Sequence, residues 1–319
     1  MTGEGELAFI ERLRARLAKP PPGQTWVGDD CAVLADGRLI ATDLLVEGVH
    51  FRSAWAGPAD IGFKALAVNL SDLAACGARP TAFMLALAMP RVEEDFLEGF
   101  ARGMFALADR HGCELVGGDT TRGPLAICIT VFGEVARESA LLRSGARAGD
   151  DVWVSGTLGD ARLALEVFRG TLSLAEPDFA QARQAMEMPE PRVGLGLALR
   201  GLASSAIDVS DGLAGDLAHV LRRSGVGAVV DIDALPSSAV LAACPASIRR
   251  ECLLSGGDDY ELVFTAPAEL RADVIAAGAS TSVRVTRIGS VDGGSGLRFV
   301  DGDGRAQPYE IASFDHFRS

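Results

Sequence analysis

The strongest constraint on this chain is the placement of its aspartates. They cluster beside Gly, Ser or Thr at six places, each where an apolar segment begins or ends: 28–30, 42–43, 69–72, 117–123, 208–212 and 256–261. A single cluster of this kind is commonly a turn or a helix cap, because a short acidic side chain satisfies exposed backbone N–H groups. Six in one chain favour a second interpretation, a shared binding site that the fold must assemble.

Asp72 is the aspartate that a cap explains least well, because it lies inside an apolar helical pattern over residues 59–76. Lys64 and Asn69 precede it by eight and three residues, so the three side chains fall close to one helix face. A carboxylate near a core face needs a partner, since burying an unpaired charge is costly. Asp43 ends another apolar stretch, where a strand would deliver it to a cleft.

Carboxylates without a cluster of His or Cys suit Mg²⁺ better than zinc. Magnesium is usually shared between a few carboxylates and substrate phosphates, so an acidic site of this kind indicates a phosphate ligand. The segment 117–123 fits, because its glycines would let backbone N–H groups approach phosphate oxygens. An ordinary loop remains the alternative there. The P-loop pattern GxxxxGK[ST] does not occur.

Strand and helix patterns interleave without strict alternation, which predicts an α+β fold. A segment rich in Arg, Gly and Ala at 136–149 predicts two domains, 1–137 and 148–319.

The surplus of 43 acidic over 30 basic residues argues against nucleic acid or an anionic membrane as a partner. No apolar run approaches the ~20 residues of a membrane span. The N-terminal segment starts with acidic residues and has no apolar stretch like that of a signal peptide, and the cysteines are scattered. Both features predict a cytoplasmic protein.

Five segments in order resemble the thiamine-monophosphate kinase family: TDLLVEGVHF (42–51), NLSDLAACGARP (69–80), GGDTTRGP (117–124), DVSDGL (208–213) and SGGDDYELVF (255–264). SFDHF (313–317) is similar to the end of that family. The resemblance implies an N-terminal α/β domain whose strands pair across a homodimer and a C-terminal α+β domain. It also implies ATP in the cleft between them and the conversion of thiamine monophosphate to thiamine diphosphate.

The same resemblance implies the site residues. Several Mg²⁺ ions would be held on the triphosphate by Asp30, Thr42, Asp43, Asp72, Asp119, Asp208 and Asp211. ATP would contact Gly118, Asp119, Arg143 and Ser210, and the acceptor would contact His50, Asp258 or Asp259, and Phe314. No covalent nucleophile is expected, because the acceptor phosphate is already anionic. Two alternatives stay open: another ATP-dependent enzyme of the same superfamily, which activates an amide oxygen, and a noncatalytic Mg-nucleotide sensor.

Overall fold

The computed structural model describes residues 6–136 and 138–309. Within these ranges the chain forms two mixed sheets with helices packed on them, which confirms the predicted α+β class. The first sheet has the order β1-β2-β5-β3-β4 and the second the order β11-β8-β10-β6-β9-β7. None of the helices in this part of the chain is long and apolar enough to cross a bilayer.

The first sheet is antiparallel except where β4 runs parallel to β3. In β5 buried and half-buried side chains alternate, as expected for a strand with one face on a core. The strands of this sheet are β1 (Ala32–Val33), β2 (Arg38–Val46), β3 (Arg79–Met89), β4 (Glu114–Arg122) and β5 (Ala126–Glu134). β4 covers the segment 117–123 for which a phosphate-binding loop was one interpretation, so most of that segment is an edge strand.

The second sheet is antiparallel except where β11 runs parallel to β8. All six residues of β6 are buried, which is typical of a central strand covered on both faces. Its strands are β6 (Asp150–Ser155), β7 (Ser205–Asp208), β8 (Gly227–Asp231), β9 (Leu262–Pro267), β10 (Val285–Asp292) and β11 (Gly296–Val300).

The helices lie between and around the sheets. They are α1 (Glu6–Arg14), α2 (Pro58–Ala75), α3 (Glu94–His111), α4 (Asp160–Phe168), α5 (Glu176–Glu187), α6 (Val193–Ala198), α7 (Leu213–Ser224), α8 (Ala239–Ala242), α9 (Ala246–Ser255) and α10 (Arg271–Ser280). α2 is buried on nearly every side, since it contacts strands of the first sheet, α3, and α6 and β7 of the second half. This helix therefore joins the two halves.

Two hydrophobic cores hold the fold together. One lies around α2 and the first sheet and continues into the second half through Trp153, Leu195 and Phe264. The other lies within the second half, between its sheet and α4, α7 and α9. Because the first core crosses between the halves, the two sheets are positioned relative to each other by apolar packing as well as by ion pairs. That packing brings the ends of α2 and β7 together.

Candidate functional site

Three aspartates from distant parts of the chain meet where the two halves pack. One carboxylate oxygen each of Asp30, Asp72 and Asp208 lies within 4.8 Å of the others. Asp30 precedes β1, Asp72 lies in the last turn of α2, and Asp208 is the last residue of β7. The fold thus gathers three of the clusters that the sequence singled out, although nothing in their spacing along the chain brings them together.

The electrostatics of this cluster are unfavourable without a cation. Burial, with the neighbouring charges of Asp30 and Asp43, raises the pKa of Asp208 to about 8. Burial and the charges of Asp43 and Asp208 raise the pKa of Asp72 well above its ordinary value. Asp72 also lies at the negative end of the α2 dipole, which disfavours an anion further. Burial and Asp211 raise the pKa of Asp43 to about 6.

Among the described residues, one buried carboxylate oxygen has no hydrogen-bond partner: Asp30 Oδ2. The Asp30 side chain is 1% exposed. Its other oxygen, Oδ1, accepts a bond from Arg143 Nε at 3.0 Å and a short one from Nη2. A hard cation such as Mg²⁺ can coordinate an unpaired carboxylate oxygen that lies among other carboxylates. The residues present therefore fit a metal site.

Two residues that were not among the predicted ligands hold the acidic segments in place. Asn69 Oδ1 accepts a bond from the backbone N–H of Asp43 at 3.0 Å, and Asn69 Nδ2 donates to the Ala65 carbonyl at 3.0 Å. Ser71 Oγ donates to Asp208 Oδ2 at 2.6 Å. Both are fully buried. The signal that could have found them was the polar run 69–72 within an apolar helix.

The loop between β7 and α7 is held by Asp216, a third residue that the sequence reasoning missed. Its Oδ2 accepts bonds from the backbone N–H groups of Ser210 and Asp211, each at 3.1 Å. Burial and the charge of Asp211 raise the pKa of Asp216 well above its ordinary value. The position of Asp216 in the first turn of α7 is favourable for an acidic side chain. The arrangement fixes the backbone that carries Ser210 and Asp211.

A cavity of about 1000 Å³ opens beside this cluster. Its wall contains many of the predicted site residues, namely Asp43, His50, Asp72, Asp208, Ser210, Asp211 and Asp258. The loop that carries Asp258 is bonded to the β7–α7 loop, since the Asp258 N–H donates to the Ser210 carbonyl at 2.8 Å. Asp72 and Asp208 of the acidic cluster therefore line the same cavity as the predicted acceptor side, whereas Asp30 and Arg143 are not part of its wall.

Other predicted residues lie elsewhere. Gly118 and Asp119 belong to the exposed edge strand β4 and do not line this cavity. The Thr42 hydroxyl donates to the Ile129 carbonyl at 2.9 Å. Asp259 Oδ1 accepts a bond from the Gly159 N–H at 2.8 Å and Asp259 is outside the cavity wall, so Asp258 is the acid of this pair that faces the cavity. Phe314 lies outside the described residues. The ligand roles of all these residues stay predictions.

Comparison with known proteins gives two family-model matches. The model for the N-terminal domain of AIR synthase related proteins matches residues 28–135, and the model for their C-terminal domain matches residues 147–302. Two of the most similar curated proteins are thiamine-monophosphate kinases. The one from Salmonella typhimurium is 44% identical over 98% of both chains, and the one from Escherichia coli K12 is 42% identical over 98% of both.

Solved structures agree with these matches. A thiamine-monophosphate kinase from Stenotrophomonas maltophilia K279a has a TM-score of 0.80 at 45% identity, covering 95% of this chain and 98% of its own. A structure described as AaThiL complexed with AMPPCP and TMP has a TM-score of 0.85 at 32% identity, covering 98% of this chain and 97% of its own. A chain of a structure described as a HypE-HypF complex has a TM-score of 0.77 at 22% identity and so shares the fold.

Proposed function

The chain belongs to the AIR synthase related family and, within it, to the thiamine-monophosphate kinases, and from this premise we propose how its residues serve that reaction. ATP is the phosphoryl donor and thiamine monophosphate the acceptor, which yields ADP and thiamine diphosphate. The observation that carries the proposal is the convergence of Asp30, Asp72 and Asp208 beside a cavity large enough for both substrates. The relative with bound AMPPCP and TMP supports the same pair of ligands.

Several Mg²⁺ ions would be held by Asp30, Asp43, Asp72, Asp208 and Asp211, with Thr42 and Asp119 as further predicted ligands. Bound there, Mg²⁺ neutralises charge on the triphosphate and on the transferred phosphoryl group. The unpartnered Asp30 Oδ2 and the raised pKa values of Asp72 and Asp208 support this assignment. Asn69 and Ser71 fix the orientation of the acidic groups, so little reorganisation is needed when the substrates bind.

We propose direct in-line transfer without a phosphorylated enzyme. The acceptor oxygen belongs to a phosphate monoester that is ionised at neutral pH, so no residue has to remove a proton from it. The tasks left to the protein are orientation and the suppression of repulsion between two anions. Ser210 and Arg143 would contact ATP, with Gly118 as a further predicted contact, whereas His50 and Asp258 would face the acceptor. His50 Nδ1 accepts a bond from the Val46 N–H at 3.0 Å, which leaves Nε2 to carry the ring proton.

The test is ³¹P NMR of the protein with ATP, Mg²⁺ and thiamine monophosphate. We expect ADP and a new diphosphate signal in equal amounts. Release of inorganic phosphate instead would contradict the transfer and favour a synthetase or a hydrolase. Binding of ATP without any turnover would favour a nucleotide sensor. In-line geometry is tested with a chiral γ-phosphate, since a single transfer inverts its configuration and a phosphoenzyme would retain it.

The same proposal includes a homodimer of two-domain subunits in the cytoplasm. The domains would be 1–137 and 148–319, because each sheet is built from one side of that boundary.

A second copy would cover the open edge of the first sheet. All nine residues of β4 are exposed there, and Val116 is 61% exposed. An uncovered edge strand with apolar side chains is a ready site for pairing with another chain. The six free cysteines are compatible with a reducing compartment.

The dimer is tested by introducing an acidic side chain into β4, the edge strand of the first sheet. Val116→Glu should shift the protein from a mass of twice 33.3 kDa to one of 33.3 kDa in light scattering, because the acidic side chain resists burial. Ile275→Glu is the matched control, since Ile275 is also exposed, at 56%, and lies on α10 in the second half. A monomeric wild type, or a Val116→Glu variant that remains dimeric, would contradict this interface.

A further inference from the structure

A buried lysine reaches the cavity from the middle of α2. Lys64 Nζ lies 2.8 Å from Asp258 Oδ2, and the pair joins the N-terminal half to the loop after α9. The Lys64 side chain is 6% exposed, whereas the Asp258 side chain is 41% exposed. The ammonium group thus lies behind the carboxylate, and a ligand in the cavity meets the carboxylate first.

Asp258 is held from its other sides too. The Tyr260 hydroxyl donates to Asp258 Oδ1 at 3.0 Å, and burial raises the pKa of Tyr260 well above its ordinary value, so this hydroxyl stays a donor. The Asp258 backbone has a φ of +59°, in the left-handed region, and this conformation costs energy for a residue other than glycine. Such a conformation persists only where surrounding contacts enforce it, and the Lys64 ion pair is one of them.

The charges around this pair favour a cationic ligand group. Asp60 and Glu187 line the same cavity as Lys64 and Asp258. Two arginines of the cavity wall, Arg162 and Arg169, are paired with Glu166. The other two, Arg52 and Arg250, stack on Trp55 and Tyr309. Glu187 is itself paired with Arg183, which leaves Asp258 and Asp60 against one covered ammonium and so keeps this part of the wall acidic. A positively charged ring or a ring amine suits such a surface, and an anionic phosphate does not.

From this geometry we infer that Lys64 is a positioning residue for the acceptor. It holds the Asp258 carboxylate towards the cavity, where Asp258 contacts the cationic heterocycle of the acceptor, and Lys64 itself does not touch the acceptor phosphate. The inference rests on the proposed function, because it takes thiamine monophosphate as the acceptor. It explains why a lysine is buried in a helix that is otherwise apolar around it: loss of the ammonium would release the carboxylate that the ligand meets.

The first test separates binding of the two substrates. Lys64→Met keeps the length of the side chain and removes its charge. We expect the KM for thiamine monophosphate to rise roughly tenfold or more, the range for a lost charge-assisted contact, with the KM for ATP within about twofold of wild type. Lys64→Arg should restore most of the affinity, since a guanidinium can make the same ion pair. Equal rises in both KM values would overturn the inference.

The second test asks whether Lys64 acts through Asp258. In the Asp258→Asn background, Lys64→Met should change the KM for thiamine monophosphate by less than about twofold, because the partner has already lost its charge. A full additional loss in the double variant would overturn the inference. Arg298→Met is the matched control, since it removes a half-exposed cation that is paired with Asp292 and is not part of the cavity wall. It should leave both KM values unchanged.

The third test uses thiamine, which has the heterocycle but no phosphate. Calorimetric binding of thiamine and of thiamine monophosphate should weaken in parallel in Lys64→Met. A loss confined to thiamine monophosphate would mean that Lys64 binds the phosphate, and the positioning role would be wrong. Thermal melting of each variant shows that the fold is intact. A wild-type protein that fails the ³¹P NMR assay would instead refute the proposed function, before any variant is compared.

Discussion

At the scale of single residues, the site combines carboxylates that repel one another with neutral groups that hold them. Asp43, Asp72 and Asp208 all have raised pKa values, with burial as the largest cause in each. Asn69 and Ser71 bond to the acidic segments without adding charge. The metal-free arrangement is therefore costly in itself, which is the expected trade between stability and function at a binding site.

Asp72→Asn tests whether the acidic site lowers the stability of the metal-free protein while it supports turnover. We expect turnover at saturating Mg²⁺ to fall at least ~100-fold, because a carboxylate ligand and its charge are lost. The metal-free variant should be as stable as the wild type or more so, because one of several repelling charges is gone. The measurements are kcat and the thermal midpoint in EDTA.

The control for Asp72→Asn is Asp36→Asn, which removes an exposed carboxylate paired with Arg38. It should leave kcat unchanged. Near-normal turnover of Asp72→Asn would mean that Asp72 is not a metal ligand. A large fall in its thermal midpoint would mean that Asp72 is a structural residue.

Residue patterns predicted which side chains would line the cavity better than they predicted the hydrogen bonds that hold those side chains. The spacing of Lys64, Asn69 and Asp72 predicts one helix face, and Lys64 and Asp72 do both line the cavity. That Asn69 would bond the backbone of Asp43 could not be read from the sequence, since it depends on where β2 lies against α2. Nor could the sequence distinguish Asp258 from Asp259, because the left-handed turn that separates their directions is imposed by contacts with Ser210 and Tyr260.

At the scale of elements, the long amphipathic and alternating segments were predictable and β4 was not. Gly117 and Gly118 have low strand propensity, so a loop was the natural interpretation. The strand forms because β3 offers it a parallel ladder from Glu114 to Arg122. A Cβ on Gly118 would lie 1.8 Å from the Leu85 carbonyl oxygen, so glycine there permits the close approach of the two backbones. Tertiary pairing outweighs local propensity in this strand.

The crossing of α2 and α3 positions Asp72 and Lys64, and it depends on small residues. A Cβ on Gly103 would lie 1.8 Å from the Ala59 carbonyl oxygen, so the helices touch through backbone atoms. Gly103→Ala should therefore force the helices apart and lower the free energy of unfolding by about 1–3 kcal/mol, despite the better helix propensity of alanine. Urea unfolding measures this change, and kcat should fall with it as α2 shifts.

Gly293→Ala is the control for this crossing, because no atom lies within 4 Å of its added Cβ. Its free energy of unfolding should stay within about 0.5 kcal/mol of wild type. A Gly103→Ala variant that unfolds at wild-type urea concentrations would show that the crossing is not tightly packed.

At the scale of the whole molecule, the site exists only because two halves are packed together. Asp30 and Asp72 come from the N-terminal half and Asp208 from the C-terminal half. Composition and pattern indicated the class of fold and the acidic clusters, but not the cavity, since its wall depends on how the sheets are placed across α2. The surplus of acidic residues is thus partly a feature of this shared site, where a bound cation would change the charge that a phosphate meets.

This shared site should make stability fall with rising pH when Mg²⁺ is absent and stay nearly constant when Mg²⁺ is bound. Asp29 precedes Asp30 in the chain, and its two carboxylate oxygens accept bonds from the Arg143 backbone N–H, each at 3.2 Å. Burial and neighbouring charges raise the folded-state pKa of Asp29 to about 7 and that of Asp208 to about 8, far above the ordinary 3.8. An acid whose pKa is raised by folding contributes stability below its ordinary pKa and loses it as pH rises through the folded value. From pH 7 to pH 8.5 the metal-free protein should therefore lose about 1 kcal/mol, seen as a lower thermal midpoint in EDTA.

With Mg²⁺ bound this dependence should disappear, because the ion keeps the carboxylates deprotonated in the folded state, as they already are in the unfolded state over this pH range. The gain in thermal midpoint on adding Mg²⁺ should be larger at pH 8.5 than at pH 7. This window lies above the ordinary pKa of histidine. Burial raises the pKa of Cys252 to about 12, and such a thiol ionises first in the unfolded state near the top of the window, so the contribution of the acidic site is the difference between wild type and Asp208→Asn. Asp208→Asn removes the main titrating group and should flatten the EDTA curve. A midpoint in EDTA that does not vary with pH in the wild type would contradict the raised pKa values, and a gain from Mg²⁺ that survives undiminished in Asp208→Asn would place the ion elsewhere.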